Sequence, residues 1–214
     1  MSSDKSNIDL YTTQTPNGIK ISITLEELGL PYNVHKIDIS KNTQKEPFFL
    51  EINPNGRIPA MTDTFTDGKP IRLFESGSIM QYLVARYDTD YKISFPPGSR
   101  EFYEMTNWLF FMNAGVGPMQ GQANHFTRYA PEHIEYGVNR YQNETRRLYG
   151  VLDKHMSDSK QDYLFPALKA WEERMLARPA VEKGRHDKEA MERHAAQSRQ
   201  WVQEGMKKDA EQQK

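Results

Sequence analysis

The segment NPNGRIPAMTD, residues 53–63, combines a turn with the start of a β-strand. Asn, Pro and Gly are typical turn residues, and the chain from Ala60 onward reads as a strand. Asp67 and Gly68 then predict a hairpin turn into another strand, PIRLF (70–74). On the other side, EPFFLEI (46–52) predicts a short helix with a proline in its first turn.

Further strands and helices are predicted on both sides of this region. IDLYT (8–12) and YNVHKIDI (32–39) read as strands, and ESGSIMQYLVARY (75–87) reads as a helix. GIKISITLEELGLP (18–31) is ambiguous, because its isoleucines alternate as in a strand while Ile21, Leu25 and Leu28 follow a helical period. The Gly-Leu-Pro stop favours the helix. Residues 8–88 therefore predict an α/β domain of order β-α-β-α-β-β-α.

The second half of the chain reads as helical. Residues 89–98 predict a linker, and residues 99–181 predict an all-α domain. The helix that begins near residue 101 is expected to bend or break at Gly115, Gly117 and Pro118. A second helix has an apolar face from Ile134 to Leu152, and a third is predicted at 166–181. Residues 1–7 are expected to be disordered, and the charged tail 182–214 to be helical or disordered.

Composition limits the classes of function. The formal net charge of −1 argues against nucleic acid or an anionic membrane as the main partner. There is no apolar run long enough to span a membrane and no signal peptide, so we expect a cytoplasmic location. The absence of cysteine excludes disulfides, thiolate metal sites and a protein thiol nucleophile. The six histidines show no metal-ligand spacing, and we expect no metal site.

Several motifs resemble those of one enzyme family. NPNGRIPAM, FESGSIMQYL, WLFFMNAGVGPMQGQANHF and RYQNETRRLYGVL are similar to motifs of cytosolic glutathione S-transferases. The similarity is to the class that contains the yeast nitrogen-catabolite regulator and the bacterial glutathione-dependent disulfide-bond oxidoreductases. The resemblance implies a thioredoxin-like N-terminal domain, a helical C-terminal domain, glutathione as co-substrate and a homodimer.

The resemblance also implies that part of the helical domain is missing. In the family, the region equivalent to QDYL is followed by a buried helix that begins with a capping box, whereas here Leu164 is followed directly by Phe165. About forty residues of the family pattern, including that capped helix, are expected to be absent. The helical domain should then be shortened, and the Ile134–Leu152 face partly uncovered.

The family pattern implies a set of glutathione-binding residues. Ile58, before a cis Pro59, is placed to pair with the cysteinyl backbone of glutathione. Ser76 at a helix start suits the γ-glutamyl carboxylate, although such a serine also serves simply as a cap, and Glu75 suits the α-ammonium group. Arg57 or Lys45 suits the glycyl carboxylate, and Gln44 is placed to reach it, although such residues also read as ordinary surface residues. Arg140 corresponds to a family arginine that faces the cleft, and it also reads as a charge on a helix surface.

The turn YTTQTPNGIK (11–20) supplies the candidate catalytic groups. Asn17 matches the asparagine of this class, and its amide can donate to the glutathione sulfur, while Thr15 or Thr13 offers a hydroxyl for the same task. Asn17 also reads as a helix cap, and the two roles are compatible if its oxygen caps while its amide donates. Tyr11, inside the strand, reads as a core residue.

Two functions from different classes follow. The first is a glutathione-dependent transferase or thiol–disulfide oxidoreductase in which the glutathione thiolate is the nucleophile, acting on a small electrophile or a disulfide. The second is a non-catalytic regulatory or binding protein of the same fold, inactivated by loss of a core helix. A mononucleotide-binding domain is disfavoured, because NPNGR lacks the phosphate-loop pattern.

Overall fold

The computed structural model describes residues 7–159 and 177–180 of the 214-residue chain. The segment 7–159 divides into two compact units after Ile79. The predicted Leu164–Phe165 junction, most of the helix predicted at 166–181 and the tail 182–214 lie outside the described residues. So does nearly all of the predicted disordered start, residues 1–6.

The first unit has the predicted β-α-β-α-β-β-α order. Its elements are β1 (Asp9–Thr12), α1 (Gly18–Leu28), β2 (Asn33–Lys36), α2 (Pro47–Ile52), β3 (Ala60–Thr64), β4 (Pro70–Phe74) and α3 (Ser76–Tyr87). The division between the two units falls within α3. This is the thioredoxin-like arrangement that the resemblance implied.

The ambiguous segment after β1 is a helix, as predicted. Ile21 and Leu25 are fully buried, whereas Ile19 and Ile23, which a strand would have placed on the same face, are half-buried. Gly29 ends the helix in the left-handed conformation, with φ of 66°. The N–H of Gly29 donates to the Glu26 carbonyl, and the N–H of Leu30 donates to the Leu25 carbonyl, which closes the helix end.

The strands form one four-stranded sheet in the order β2-β1-β3-β4. β1 is parallel to β2 and antiparallel to β3, and β3 pairs with β4 in an antiparallel hairpin. In the register, Tyr11 pairs with both His35 and Ala60, and Ala60 pairs with Phe74. The ends of β1, β2 and β4 and the beginning of β3 therefore lie at the same end of the sheet.

A small apolar cluster supports that end of the sheet. Ile37, Phe49 and Ala60 are buried together, with Ile52 and Ile58 packed against them. Burial of apolar surface stabilises the folded state by about 25 cal/mol per Å². The cluster therefore fixes α2 and the beginning of β3 beside the end of β1.

Beyond α3, the described part of the second unit contains three α-helices. They are α4 (Arg100–Phe110), α5 (Gly117–Asn124) and α6 (Glu135–Ser159). Ser99 caps α4, because its hydroxyl accepts from the N–H of Phe102. Among residues 7–159 and 177–180, no helix combines the length and the apolar content needed to cross a membrane.

The chain does not break at Gly115, Gly117 and Pro118, where the sequence predicted a bend or a break. The backbone stays helical between α4 and α5 through a wider turn, Phe111–Val116, which ends with the Gly117 N–H donating to the Met112 carbonyl five residues back. Pro118 lies in the first turn of α5, where a missing N–H and a fixed φ are tolerated. The glycines and the proline therefore distort the helix without ending it.

The apolar face of α6 is covered in its middle and open at its start. Thr145 and Leu148 are almost fully buried, whereas Ile134 remains 40% exposed. Val138 and Leu152 are half-buried. The neighbouring α4 contains no fully buried residue.

The segment after α3 is fastened by one buried carboxylate. Asp88 is 4% exposed, and it accepts hydrogen bonds from the Lys92 N–H at 2.7 Å, the Ile93 N–H at 3.0 Å and the Ser94 hydroxyl at 2.6 Å. Burial alone would raise the pKa of Asp88, but these hydrogen bonds outweigh it and lower that pKa below its ordinary value. The ionised carboxylate of Asp88 therefore fixes the conformation of residues 88–94.

Candidate functional site

Four connecting segments meet at the end of the sheet where β1 ends. They are the turn 12–18, the segment 37–45 after β2, the turn 53–59 before β3 and residues 75–76 after β4. The Ile37 N–H donates to the Thr12 carbonyl at 2.9 Å, which joins the first two segments. The predicted site residues at this end of the sheet are Thr15, Asn17, Gln44, Lys45, Arg57, Ile58, Pro59, Glu75 and Ser76.

Thr15, and not Asn17, caps α1. The Thr15 hydroxyl accepts from the Gly18 N–H at 3.0 Å, and its carbonyl accepts from the Ile19 N–H at 3.1 Å. Pro16 follows Thr15 at the start of the helix, where a backbone N–H has no carbonyl partner within the helix, so a proline is tolerated there. The expectation that the Asn17 oxygen caps the helix is therefore wrong, since its side chain makes no capping hydrogen bond.

The turn leaves no room for a side chain at Gly18. A Cβ there would overlap the carbonyl oxygen of Thr13 and the hydroxyl of Thr12. The Thr15 N–H also donates to the Thr13 carbonyl at 2.8 Å. The turn is therefore packed tightly against the first residue of the helix.

The Asn17 side chain is exposed in the first turn of α1. Its Oδ1 accepts a hydrogen bond from Lys20 Nζ at 2.8 Å, and no partner is described for its Nδ2 among residues 7–159 and 177–180. Lys20 is half-buried, and burial lowers the pKa of its ammonium group. Asn17 therefore presents an amide donor at a helix N-terminus, where an anion is stabilised.

The turn before β3 is organised by the side chain of Asn53, which is only 2% exposed. Its Nδ2 donates to the Arg57 carbonyl at 2.6 Å, and its Oδ1 accepts from the Asn55 N–H at 2.9 Å. The Ile58–Pro59 peptide bond is cis, as predicted. Ile58 is half-buried, Pro59 is buried, and the Arg57 side chain is exposed.

Gln44 and Lys45 lie against this turn. Gly56 has φ of 60°, and a Cβ there would lie 2.9 Å from Lys45 Nζ and 3.0 Å from the Gln44 carbonyl. Lys45 Nζ donates to the Asn55 carbonyl at 3.4 Å. Gln44 Nε2 donates to Asn42 Oδ1 at 3.5 Å, whereas Gln44 Oε1 is buried with no hydrogen-bond partner among the described residues.

Glu75 and Ser76 form the start of α3. Glu75 has φ of 66°, a left-handed conformation that is uncommon for a residue with a side chain, and its carbonyl accepts from the Ile79 N–H. Its exposed side chain accepts from Asn55 Nδ2 at 3.4 Å, which links it to the turn before β3. Ser76 is the first helical residue and is 6% exposed.

Two further residues from the sequence analysis lie elsewhere. Arg140 belongs to the second unit, where it is exposed on α6, and its charge contributes to lowering the pKa of Glu144 after the larger effect of Arg147. Tyr11, predicted as a core residue, is half-buried: it packs against the apolar cluster and stacks on His35, with ring centroids 4.5 Å apart. Burial, followed by the Asp9 charge, raises the Tyr11 pKa.

The arrangement suits a polar, peptide-like ligand. One end of the sheet offers two helix N-termini, an amide donor, cations and a peptide edge before Pro59. The described residues contain no cluster of three His, Asp or Glu that would hold a metal ion.

Residues 16–86 match the family model for the glutathione S-transferase N-terminal domain. The chain is 40% identical over 202 residues to the disulfide-bond oxidoreductase YfcG of Escherichia coli K12. The alignment covers 81% of this chain and 92% of YfcG. The chain belongs to the glutathione S-transferase family.

Further similarities extend over both halves of the family fold. The chain is 37% identical over 221 residues to the glutathione S-transferase-like protein tpcF of Aspergillus fumigatus, covering 84% of this chain and 95% of tpcF. A solved glutathione transferase homolog from Lodderomyces elongisporus, with two GSH per subunit, superposes with a TM-score of 0.75. The two sequences are 40% identical, and the matched region covers 84% of this chain and 98% of the Lodderomyces chain.

The sequence analysis missed Lys20 and Asn53 at this end of the sheet, and it named Thr15 as a hydroxyl donor but not as the helix cap. Thr15 followed by Pro16 is a recognisable helix start, which could have identified the cap. Lys20 lies three residues after Asn17, a spacing at which helical side chains meet. Asn53 offered no signal for its double hydrogen bond beyond the general preference of asparagine for turns.

Proposed function

We propose that this chain binds glutathione at the common end of the sheet and uses the glutathione thiolate to reduce disulfides. The observation that carries the proposal is the exposed amide of Asn17 at the start of α1, in a chain without cysteine. The names of YfcG and tpcF support a glutathione-dependent enzyme of this kind.

The turn can supply the free energy that ionises the thiol. A free thiol has a pKa of about 8.5, and lowering it by about two units requires about 2.7 kcal/mol. A hydrogen bond to a charged group contributes about 1.5–3 kcal/mol. A helix N-terminus adds about 0.3–1 kcal/mol. Asn17 Nδ2 together with the start of α1 is sufficient, and the Thr15 hydroxyl hydrogen is a second donor.

The other site residues divide the remaining parts of glutathione among them. Ser76 and the N-terminus of α3 receive the γ-glutamyl carboxylate, and Glu75 accepts from the α-ammonium group. The backbone of Ile58 pairs with the cysteinyl residue. The glycyl carboxylate is assigned to Lys45, Arg57 and Gln44.

The reaction is a thiol–disulfide exchange. The glutathione thiolate attacks one sulfur of the substrate disulfide, forms a mixed disulfide and releases the other sulfur as a thiolate, which takes up a proton. A second glutathione thiolate then attacks the glutathione sulfur of the mixed disulfide. This step releases the second substrate thiol and oxidised glutathione. The two GSH per subunit of the Lodderomyces homolog support a site of this capacity.

The finer properties of the enzyme are part of the proposal. Conjugation of glutathione to a small electrophile is an alternative use of the same thiolate. We also propose the family homodimer, a cytoplasmic location and a two-domain division at residues 8–88 and 99–181. A non-catalytic regulatory or binding protein, inactivated by the loss of a core helix, is the alternative, and the candidate donors at the described end of the sheet favour the enzyme.

We further propose that the helical domain lacks a segment of the family pattern. The alignment with YfcG is 202 positions long but takes in 81% of the 214 residues here, so part of its length is a gap on this side. The incompletely covered α4 and α6 are consistent with a missing packing partner.

Replacement of Asn17 by Ala tests the catalytic proposal. We expect the rate of glutathione-dependent reduction of a small mixed disulfide to fall at least tenfold, because about 1.5–3 kcal/mol of thiolate stabilisation is lost. Glutathione affinity, measured by calorimetry, should change little. Asn139→Ala, an exposed position on α6, is the control. An unchanged rate in Asn17→Ala would remove Asn17 from the mechanism.

A further inference from the structure

We propose that Lys20 is a positioning residue that fixes the side-chain amide of Asn17 with its donor side toward the glutathione sulfur. The inference rests on the proposed function and extends it. It starts from the 2.8 Å hydrogen bond between Lys20 Nζ and Asn17 Oδ1 within the first turn and a half of α1.

The hydrogen bond determines which way the amide faces. A lysine ammonium has three donors and no acceptor, so it can bind the asparagine oxygen and cannot bind the asparagine nitrogen. If the Asn17 amide were turned by 180°, its NH₂ group would face the Lys20 ammonium, and both of these groups only donate hydrogen bonds. Lys20 therefore selects the orientation in which Oδ1 faces Lys20 and Nδ2 lies on the opposite side of the planar amide.

This orientation matters because the two sides of an amide have opposite effects on a thiolate. Nδ2 donates to an anionic sulfur and stabilises it, whereas Oδ1 in the same place would repel the anion. Asn17 does not receive this orientation from helix capping, since Thr15 performs that task. Among the described hydrogen bonds of Asn17, the one with Lys20 is the interaction that distinguishes the two amide orientations.

Lys20 also adds charge at the right place. The Lys20 side chain is half-buried as a whole, and its ammonium group lies within 2.8 Å of Asn17 Oδ1 at an exposed position. An ammonium that binds Oδ1 withdraws electron density from the amide and strengthens Nδ2 as a donor. A stronger Nδ2 donor lowers the pKa of a thiol that it binds.

The test measures the pKa of the glutathione thiol in the complex. The thiolate is followed by its ultraviolet absorbance in a pH titration of the full chain saturated with glutathione. We expect Lys20→Met to raise this pKa by about one unit, which lowers the thiolate fraction about tenfold at acidic pH. The value of kcat for disulfide reduction at acidic pH should fall by the same factor, with KM for glutathione changed less than threefold.

Two additional variants separate positioning from folding. Arginine is also a donor without acceptors, so Lys20→Arg should restore most of the shift. Lys20→Gln keeps a polar chain of similar length but can present either a donor or an acceptor, so it should resemble Lys20→Met. Lys69→Met removes an exposed lysine from the turn between β3 and β4, at the opposite end of the sheet, and should leave the thiol pKa unchanged.

The outcomes distinguish this inference from the function on which it rests. If Asn17→Ala raises the thiol pKa while Lys20→Met and Lys20→Gln do not, the positioning role is wrong and the proposed function stands. If glutathione binds with an unshifted thiol pKa in the unmodified chain, the proposed function itself fails. In Asn17→Ala, the additional Lys20→Met replacement should change the pKa little, because Lys20 acts through Asn17. The inference would be contradicted if Lys20→Met raised the thiol pKa as much in Asn17→Ala as it does in the otherwise unmodified chain.

Discussion

At the scale of single residues, the turn after β1 divides its tasks among neighbouring side chains. Thr15 caps the helix, Gly18 allows the close approach of the turn, and Asn17 is left with an exposed amide that Lys20 holds by its oxygen. If Asn17 capped the helix, its oxygen would be engaged by a backbone N–H instead. Because Thr15 performs the capping, the Asn17 amide stays available for the proposed contact with the glutathione sulfur.

Replacing Gly18 by Ala tests how tightly this turn is built. Alanine favours a helix over glycine by about 1 kcal/mol. The new Cβ, however, would overlap the Thr13 carbonyl and the Thr12 hydroxyl, and overpacking of this kind costs about 1–3 kcal/mol. We expect the cost of the overlap to exceed the gain in helix propensity, because the Thr13 carbonyl oxygen cannot move away without opening the turn. Denaturant unfolding should show a net loss of stability, and glutathione affinity should also fall.

Gly150→Ala is the matched control for this replacement. Gly150 lies within α6, and a Cβ there would meet no atom within 4 Å. The same chemical change should therefore stabilise the chain by about 0.5–1 kcal/mol. Equal effects of the two replacements would show that the turn is looser than the structure indicates.

At this scale the sequence predicts residue types better than their contacts. Asn17 and the Ile58–Pro59 pair were identified from motifs, and the cis bond is present. Asn17 also read as a helix cap, because asparagine is a common cap, whereas in the structure Thr15 Oγ1 accepts from the Gly18 N–H. Such competition between two suitable side chains depends on backbone angles that a residue pattern does not contain.

At the scale of elements, the helices and strands of the first unit follow from periodicity and turn residues. The choice of a helix for α1 depended on the Gly-Leu-Pro stop, and the left-handed Gly29 explains why that signal was reliable. The α4–α5 region was harder, because glycine and proline usually end helices. A wider turn and the first-turn position of Pro118 accommodate them here, and neither is visible in composition.

The segment after α3 gives a prediction about pH. The lowered pKa of Asp88 means that its carboxylate stabilises the fold fully above the ordinary aspartate pKa of about 3.9, and that this contribution is lost as the pH falls through the folded-state value. At pH 7, we expect Asp88→Asn to reduce the free energy of unfolding by about 1.5–3 kcal/mol, because hydrogen bonds to a charged group are lost.

Denaturant unfolding at a series of pH values checks this assignment. The difference between the unmodified chain and Asp88→Asn should shrink as the pH falls below about 3.9. Asp90→Asn, at an exposed position nearby, should stay within about 0.5 kcal/mol of the unmodified chain throughout. A difference that is independent of pH would mean that shape, and not charge, is what Asp88 contributes.

At the scale of the whole molecule, the fold class and family could be predicted because several motifs occur in a fixed order along the chain. The thioredoxin-like order brings the ends of β1, β2 and β4 and the beginning of β3 to one end of the sheet, so residues far apart in sequence share one site. The shortened helical domain stays a prediction, since the junction at Leu164–Phe165 lies outside the described residues.

The central claim is that this chain ionises the thiol of bound glutathione without any cysteine of its own. The most direct measurement is the pH titration of the ultraviolet thiolate absorbance of glutathione bound to the unmodified, full-length chain. We predict a midpoint about two units below the free thiol value of about 8.5. A midpoint equal to that of free glutathione, at concentrations where calorimetry shows the site to be filled, would contradict the claim.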